Sequence, residues 1–166
     1  HRFAKAAFDV AWWDLHSQLQ KIPLYRALGS TSNTCHIGYT FGVMDSFDEL
    51  LAGIEQVTRL GYPRVKLKFC PGWELDMLAA VRSTFPNLTI HIDCNSAYTL
   101  SDLAMLKKLD QFQLAMIEQP LQHDDLIDHA TLQSKIGTPV CLDESITTPE
   151  QAQQAISIKA CQYINI

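Results

Sequence analysis

The chain has no C-x-x-C pair, no G-x-G-x-x-G or phosphate-binding loop, and no G-x-S-x-G elbow. Nucleotide-binding and serine-hydrolase readings therefore have no support. No apolar run approaches the roughly 20 residues needed to cross a bilayer, which removes a membrane role. Positive charge is also short: 13 Lys and Arg face 18 Asp and Glu, for a net charge of −5. With its lysines scattered, the chain offers no basic face to nucleic acid. The five cysteines, Cys35, Cys70, Cys94, Cys141 and Cys161, are odd in number and mostly lie in or beside apolar strands. Reduced core thiols in a cytoplasmic protein fit them best. No signal peptide is visible, and because the chain opens on His1 rather than Met, further residues are expected upstream.

What is present is a regular alternation. The chain has 166 residues, 47% of them hydrophobic and 19% charged, which suits one soluble domain with a sizeable core. Phe3, Ala7, Val10, Ala11, Asp14 and Leu15 recur at three- and four-residue steps and predict a helix over 2–19. Pro23 opens a short second helix that Gly29 closes. A first strand is expected over His36 to Val43, followed by a helix that Ser46 and Glu49 begin as a capping box and that runs through Leu60. Strands are then expected at 65–69, 89–93, 115–118 and 139–143, with a last one beginning near Gln162. Helices at 74–84, 101–108, 124–134 and 149–157 separate them. Strand, helix and two turns take about 25–30 residues, so this is a repeated βα unit and a parallel sheet. A closed βα barrel needs eight strands and about 250 residues, so the chain is expected to be part of a larger barrel. Two open sheet edges would invite self-association, so a homo-oligomer is expected.

Chemistry follows the same interval. Lys68 to Asp93, Asp93 to Glu118 and Glu118 to Asp143 are each 25 residues, and each marked residue lies at or near the end of a strand. With acidic residues at 18 of 166 positions, three specified positions are all acidic about once in 800 trials, or about once in 100 allowing for eight lysines as starting points. Groups at successive carboxyl ends of parallel strands face one crevice. Lys66 and Lys68 share one face of their strand, while Val65, Leu67 and Phe69 take the other. Facing inward, burial and mutual repulsion would lower an ammonium pKa toward that of a general base. An isolated K-x-K reads more readily as a solvated strand face, and the acidic series reverses that preference.

Asp93, Glu118 and Asp143 would repel one another unless a divalent cation sat among them, and all-oxygen ligation suits Mg²⁺ or Mn²⁺ better than zinc. Any one of them alone reads as a turn or capping residue. Asn95 shares the face of Asp93 and is positioned to hydrogen-bond a substrate or a metal-bound water. Glu144 is expected to support the ligands from behind. His91 faces inward one layer deeper and reads as a satisfied core histidine.

These residues carry a resemblance. Val65-Lys66-Leu67-Lys68, His91-Ile92-Asp93-Cys94-Asn95-Ser96-Ala97-Tyr98, Ile117-Glu118-Gln119-Pro120 and Leu142-Asp143-Glu144-Ser145 together resemble the muconate-lactonizing branch of the enolase superfamily. Pro71-Gly72-Trp73 and His123-Asp124-Asp125-Leu126 are similar to stretches of its o-succinylbenzoate synthase and N-acylamino acid racemase group. The resemblance implies an α/β fold: a partial (β/α) TIM-like barrel of about six strands over 34–166, preceded at 1–33 by the terminal helices of an α+β capping domain. It implies Mg²⁺ on Asp93, Glu118 and Asp143, with Lys68 removing the proton α to the carboxylate of a small substrate. Lys66 would keep Lys68 partly neutral and help hold that carboxylate. The implied activity is dehydration to o-succinylbenzoate in menaquinone biosynthesis, with N-acylamino acid racemisation and dipeptide epimerisation as alternatives. The family places a second lysine on the sixth strand, which would fall immediately after Ile166. An inactive, self-associating fragment is therefore the reading from another class.

Overall fold

The computed structural model describes residues 2–166. It divides into two compact units, one running up to His36 and one from Ile37 to Ile166. In the first, helix α1 spans Arg2–Leu19 and α2 spans Leu24–Ala27. Gly29 closes α2 with φ at 80°, a conformation costly for any other residue. Trp12 stacks on His16 at 4.9 Å along α1, while Phe8, Val10, Leu15 and Leu19 remain exposed.

The second unit is a single sheet of six parallel strands in sequence order: β1 (Tyr39–Phe41), β2 (Arg64–Lys68), β3 (Thr89–Asp93), β4 (Ile117–Glu118), β5 (Val140–Leu142) and β6 (Tyr163–Ile164). Helices α3 (Phe47–Arg59), α4 (Leu75–Thr84), α5 (Leu103–Leu106), α6 (Leu126–Gln133) and α7 (Pro149–Ser157) connect them. This is the expected partial (β/α) barrel. Residues of all six strands line one cavity of about 520 Å³, so the sheet curves around it. Alternation along β2 separates two environments: Val65, Leu67 and Phe69 are buried in the hydrophobic core, while Lys66 and Lys68 face the crevice half-exposed. No helix among the described residues is long and apolar enough to cross a membrane, and all five cysteines are free.

Three expectations are corrected. The first strand is three residues long, not eight, because β1 finds a partner only in β2, over Tyr39 to Phe41. The Ser46 hydroxyl accepts from the Glu49 N–H at 3.2 Å, but the reciprocal capping box is formed at Thr99 and Asp102. The helix expected at 101–108 is one α turn between two 3-10 stretches, Leu100–Asp102 and Lys107–Phe112. Buried Leu106, Leu109 and Phe112 explain this, since their three-residue spacing matches the three residues per turn of a 3-10 helix.

Two side chains pin the lower ends of the strands. The Arg82 guanidinium donates to the carbonyls of Phe112, Pro86 and Leu88 at 3.0, 3.1 and 2.8 Å, so it serves the loops before β3 and β4. Asp110 accepts from the N–H of Gly137 (2.9 Å) and from the N–H and hydroxyl of Thr138 (both 2.7 Å), fixing the entry to β5. Burial opposes ionisation of Asp110, but these donors hold it below the ordinary aspartate range. A carboxyl depressed in the fold stabilises fully above its unfolded value and loses that contribution as pH falls through the folded one. Urea titrations of Asp110→Asn against wild type should therefore show a stability gap at neutral pH that closes below the ordinary aspartate range. A gap that persists unchanged into acid would remove this role.

Candidate active site

Parallel pairing sets the centre of the site. Lys68 pairs with Asp93 across β2 and β3, and Asp93 pairs with Glu118 across β3 and β4, so the three stand abreast on one row. Ladder bonds continue just beyond it: the Phe69 N–H donates to the Asp93 carbonyl and the Cys94 N–H to that of Glu118, both at 2.9 Å. Asp93 and Glu118 are 3% and 2% exposed, which a bare carboxylate does not tolerate. They are satisfied by the lysines. Lys66 Nζ lies 2.9 Å from Asp93 Oδ2 and 2.7 Å from Glu118 Oε1, and Lys68 Nζ lies 2.8 Å from the same Asp93 oxygen.

The electrostatics correct one expectation. Burial does work to lower the Lys66 pKa, but its hydrogen bonds and charge pairing with Glu118 and Asp93 outweigh it, and the pKa is raised. Burial would raise Asp93, yet the hydrogen bonds from Lys68 and Lys66 hold it low. Glu118 goes the other way: burial, with the charges of Asp93 and Asp143, outweighs its bond to Lys66 and raises it.

Asp143 is not on the row. Glu118 pairs with Cys141, so Asp143 lies two residues further along, about 6.6 Å of strand rise. Burial raises its pKa, and the neighbouring charges of Glu144 and Asp93 add to the effect. Among the described residues, no group of three or more His, Cys, Asp or Glu is already gathered as a metal cage. Lys66 is the cation that Asp93 and Glu118 share. The donor chemistry nonetheless suits a hard divalent cation: Asp93, Glu118, Asp143 and Glu144 are four carboxyl groups against two ammonium groups, and burial together with crowding among them raises the pKa of Glu118 and Asp143.

Asn95 is committed within the protein. It accepts from Lys68 Nζ, donates to Glu144 Oε1 at 3.0 Å, and its N–H bonds Asp93 Oδ1 at 3.1 Å. It thereby ties the base candidate to Glu144. His91 has no hydrogen bond to its ring among the described residues and borders the cavity below the row, so it is not the satisfied core histidine expected. Burial, with Lys66 and Arg64 nearby, lowers its pKa to about 4 and keeps it neutral at ordinary pH.

Sequence reasoning missed Gln119, His129 and Ser145, all buried. Gln119 Oε1 accepts the N–H groups of Asp143 (3.0 Å) and Ser145 (3.1 Å), while Nε2 donates to Ser145 Oγ (2.7 Å) and the Leu121 carbonyl (3.1 Å). His129 Nδ1 is 2.5 Å from the Asp125 carbonyl and must donate there, which leaves Nε2 to accept the Leu121 N–H at 3.3 Å. Alternation offered a signal: next to inward-facing Glu118, Gln119 must face the helix layer, where a polar group requires partners.

Residues 49–166 match the enolase C-terminal domain-like family. Over its whole length the chain is 45% identical to o-succinylbenzoate synthase of Geobacillus kaustophilus, of which it spans 44%. It is 44% identical to N-succinylamino acid racemase of Thermus thermophilus, over 98% of this chain and 44% of that protein. An enolase superfamily member of known structure from Listeria innocua superposes with a TM-score of 0.85 at 40% identity, over 93% of this chain and 42% of that one. The chain thus spans less than half the length of the curated relatives it matches.

Lys66 is the interaction to remove first. In Lys66→Met, Asp93 keeps the Lys68 ammonium beside it, while Glu118 loses the cation that pairs with it among the described residues. With the Lys66 side chain 20% exposed, the loss should fall short of a fully buried pair, at about 2–3 kcal/mol by urea denaturation at low salt. Unchanged stability would show that the carboxylates do not depend on it.

Proposed function

The chain belongs to the enolase C-terminal domain-like family, and we propose that it is the barrel part of an o-succinylbenzoate synthase, a lyase that dehydrates a cyclohexadiene carboxylate in menaquinone biosynthesis. The observation that carries this reading is the row of Lys68, Asp93 and Glu118 abreast across β2, β3 and β4, with Lys66 beneath it. The 45% identity to a synthase over the whole chain supports the choice of reaction.

In this reading Lys68 is the base. Its side chain is the more exposed of the two lysines, at 33% against 20%, so its Nζ is the one a substrate carbon can reach. It takes the proton α to the substrate carboxylate and can return a proton to the departing hydroxyl, because dehydration needs an acid/base on one face only. Lys66, whose pKa is raised, stays an ammonium and helps hold the substrate carboxylate. Asp93, Glu118 and Asp143 would hold Mg²⁺, or Mn²⁺ in its place, with Glu144 and Asn95 behind them. When bound, the cation supplies positive charge where negative charge develops as the α proton leaves. A second reading, racemisation of N-succinylamino acids, draws on the 44% identity to the Thermus thermophilus racemase. Racemisation needs an acid/base on each face of the substrate, so this reading calls for a second group besides Lys68.

Two measurements test this. Calorimetry on the chain should find saturable Mg²⁺ binding that weakens at least tenfold in Glu118→Gln. In a protein carrying this chain at the length of its relatives, Lys68→Ala should lower kcat for dehydration by about 10³-fold or more while leaving Mg²⁺ affinity near that of wild type. Retained turnover in Lys68→Ala would sink the assignment of the base, and racemase turnover without dehydration would shift the reading to the alternative.

A further inference from the structure

Asp143 stands apart from the other two acidic residues in how it is held. Asp93 and Glu118 are the last residues of strands, and ladder pairing fixes their main chain. Strand β5 ends at Leu142, so Asp143 leaves the ladder and its N–H has no strand partner. That N–H goes to Gln119 Oε1 at 3.0 Å, and the Ser145 N–H joins it at 3.1 Å on the same oxygen. The carboxamide orientation is unambiguous, since only an oxygen accepts two N–H donors. Its other end is equally committed, to Ser145 Oγ and the Leu121 carbonyl, and Gln119 is fully buried. The backbone of Gln119 has φ at 39°, in the left-handed region that strains a non-glycine residue. Gln119 is thus held in a strained conformation by a fully satisfied set of bonds, all made within the two loops that follow β4 and β5.

We propose that Gln119 is the positioning residue of this site: its carboxamide fixes the main chain from Asp143 to Ser145, and thereby sets where the Asp143 carboxyl stands relative to Asp93 and Glu118. The part of the inference that concerns a divalent cation rests on the functional reading above, whereas the placement itself does not. Asp143 is the ligand candidate that lies off the row, two residues beyond the partner of Glu118. Without Gln119 its loop has no ladder to return to, and the third carboxyl would lose its fixed distance from the other two.

The test reads placement and cation separately. Backbone amide exchange followed by NMR without metal should find the Asp143 and Ser145 amides slow in wild type. In Gln119→Met, which keeps the length of the side chain and removes both polar ends, the two amides should exchange at least tenfold faster, while those of Cys94 and Ile117, bonded in the ladder, stay unchanged. Gln119→Glu keeps the acceptor oxygen and should keep most of the protection. Titration with Mn²⁺ alone, read by electron paramagnetic resonance of the free ion, should show binding 10–100-fold weaker in Gln119→Met and largely restored in Gln119→Glu. Fast exchange of both amides in wild type overturns the proposal without any variant, which keeps it testable if Gln119→Met does not fold. Released amides with undiminished Mn²⁺ affinity overturn its cation part. Protected amides in a wild type that binds no Mn²⁺ support the placement and fail the functional reading instead.

Discussion

The site depends on one constraint, the parallel register that sets Lys68, Asp93 and Glu118 abreast at the ends of three adjacent strands. A one-residue slip of β3 would send Asp93 into the apolar layer and bring Ile92 or Cys94 inward. That register is held by the outward faces, where Val65, Leu67, Ile90, Ile92 and Ile117 are buried in one core. Packing on one side of the sheet thus decides the chemistry of the other. With the row in place, two carboxylates are buried side by side and need cations. Lys66 and Lys68 supply them from β2, and Lys66 reaches both acids.

The result is a site whose charges are paired but not balanced. Asp93 is stabilised as an anion, whereas Glu118 and Asp143 are made harder to ionise by burial and by the charge of Asp93. Such an arrangement has stored affinity for one more positive charge. It also leaves both ammonium groups facing the crevice, as the proposed reaction requires. Both properties belong to the chemistry proposed for the chain, and both come from the same few side chains.

Much of this was legible in the sequence because it depends on spacing and alternation. The 25-residue interval marked the strand ends, and the two-residue step in Val65-Lys66-Leu67-Lys68-Phe69 separated core from crevice. Equal spacing did not mean equal level, however. The β4 to β5 register matches Glu118 with Cys141, so Asp143 stands off the row, and only the paired strands reveal that. The raised Lys66 pKa was hidden for a related reason: it depends on two carboxylates reached across neighbouring strands, which outweigh the lowering by burial. Gln119 and His129 were missed because most of their partners are backbone groups, which leave no pattern of residue types. The 3-10 stretch at Lys107–Phe112 was written in the spacing of Leu106, Leu109 and Phe112, where a helix of ordinary period was expected instead.

The most direct test of the central claim is whether a divalent cation and the two ammonium groups compete for the same carboxylates. Carbon-13 NMR of the lysine ε-methylenes reports this as Mg²⁺ is added. The account predicts that the Lys66 and Lys68 signals move together and saturate, while those of Lys107, Lys108 and Lys159, outside the row, stay in place. Uniform drift of all lysines, or no movement of Lys66 at saturating Mg²⁺, would contradict it.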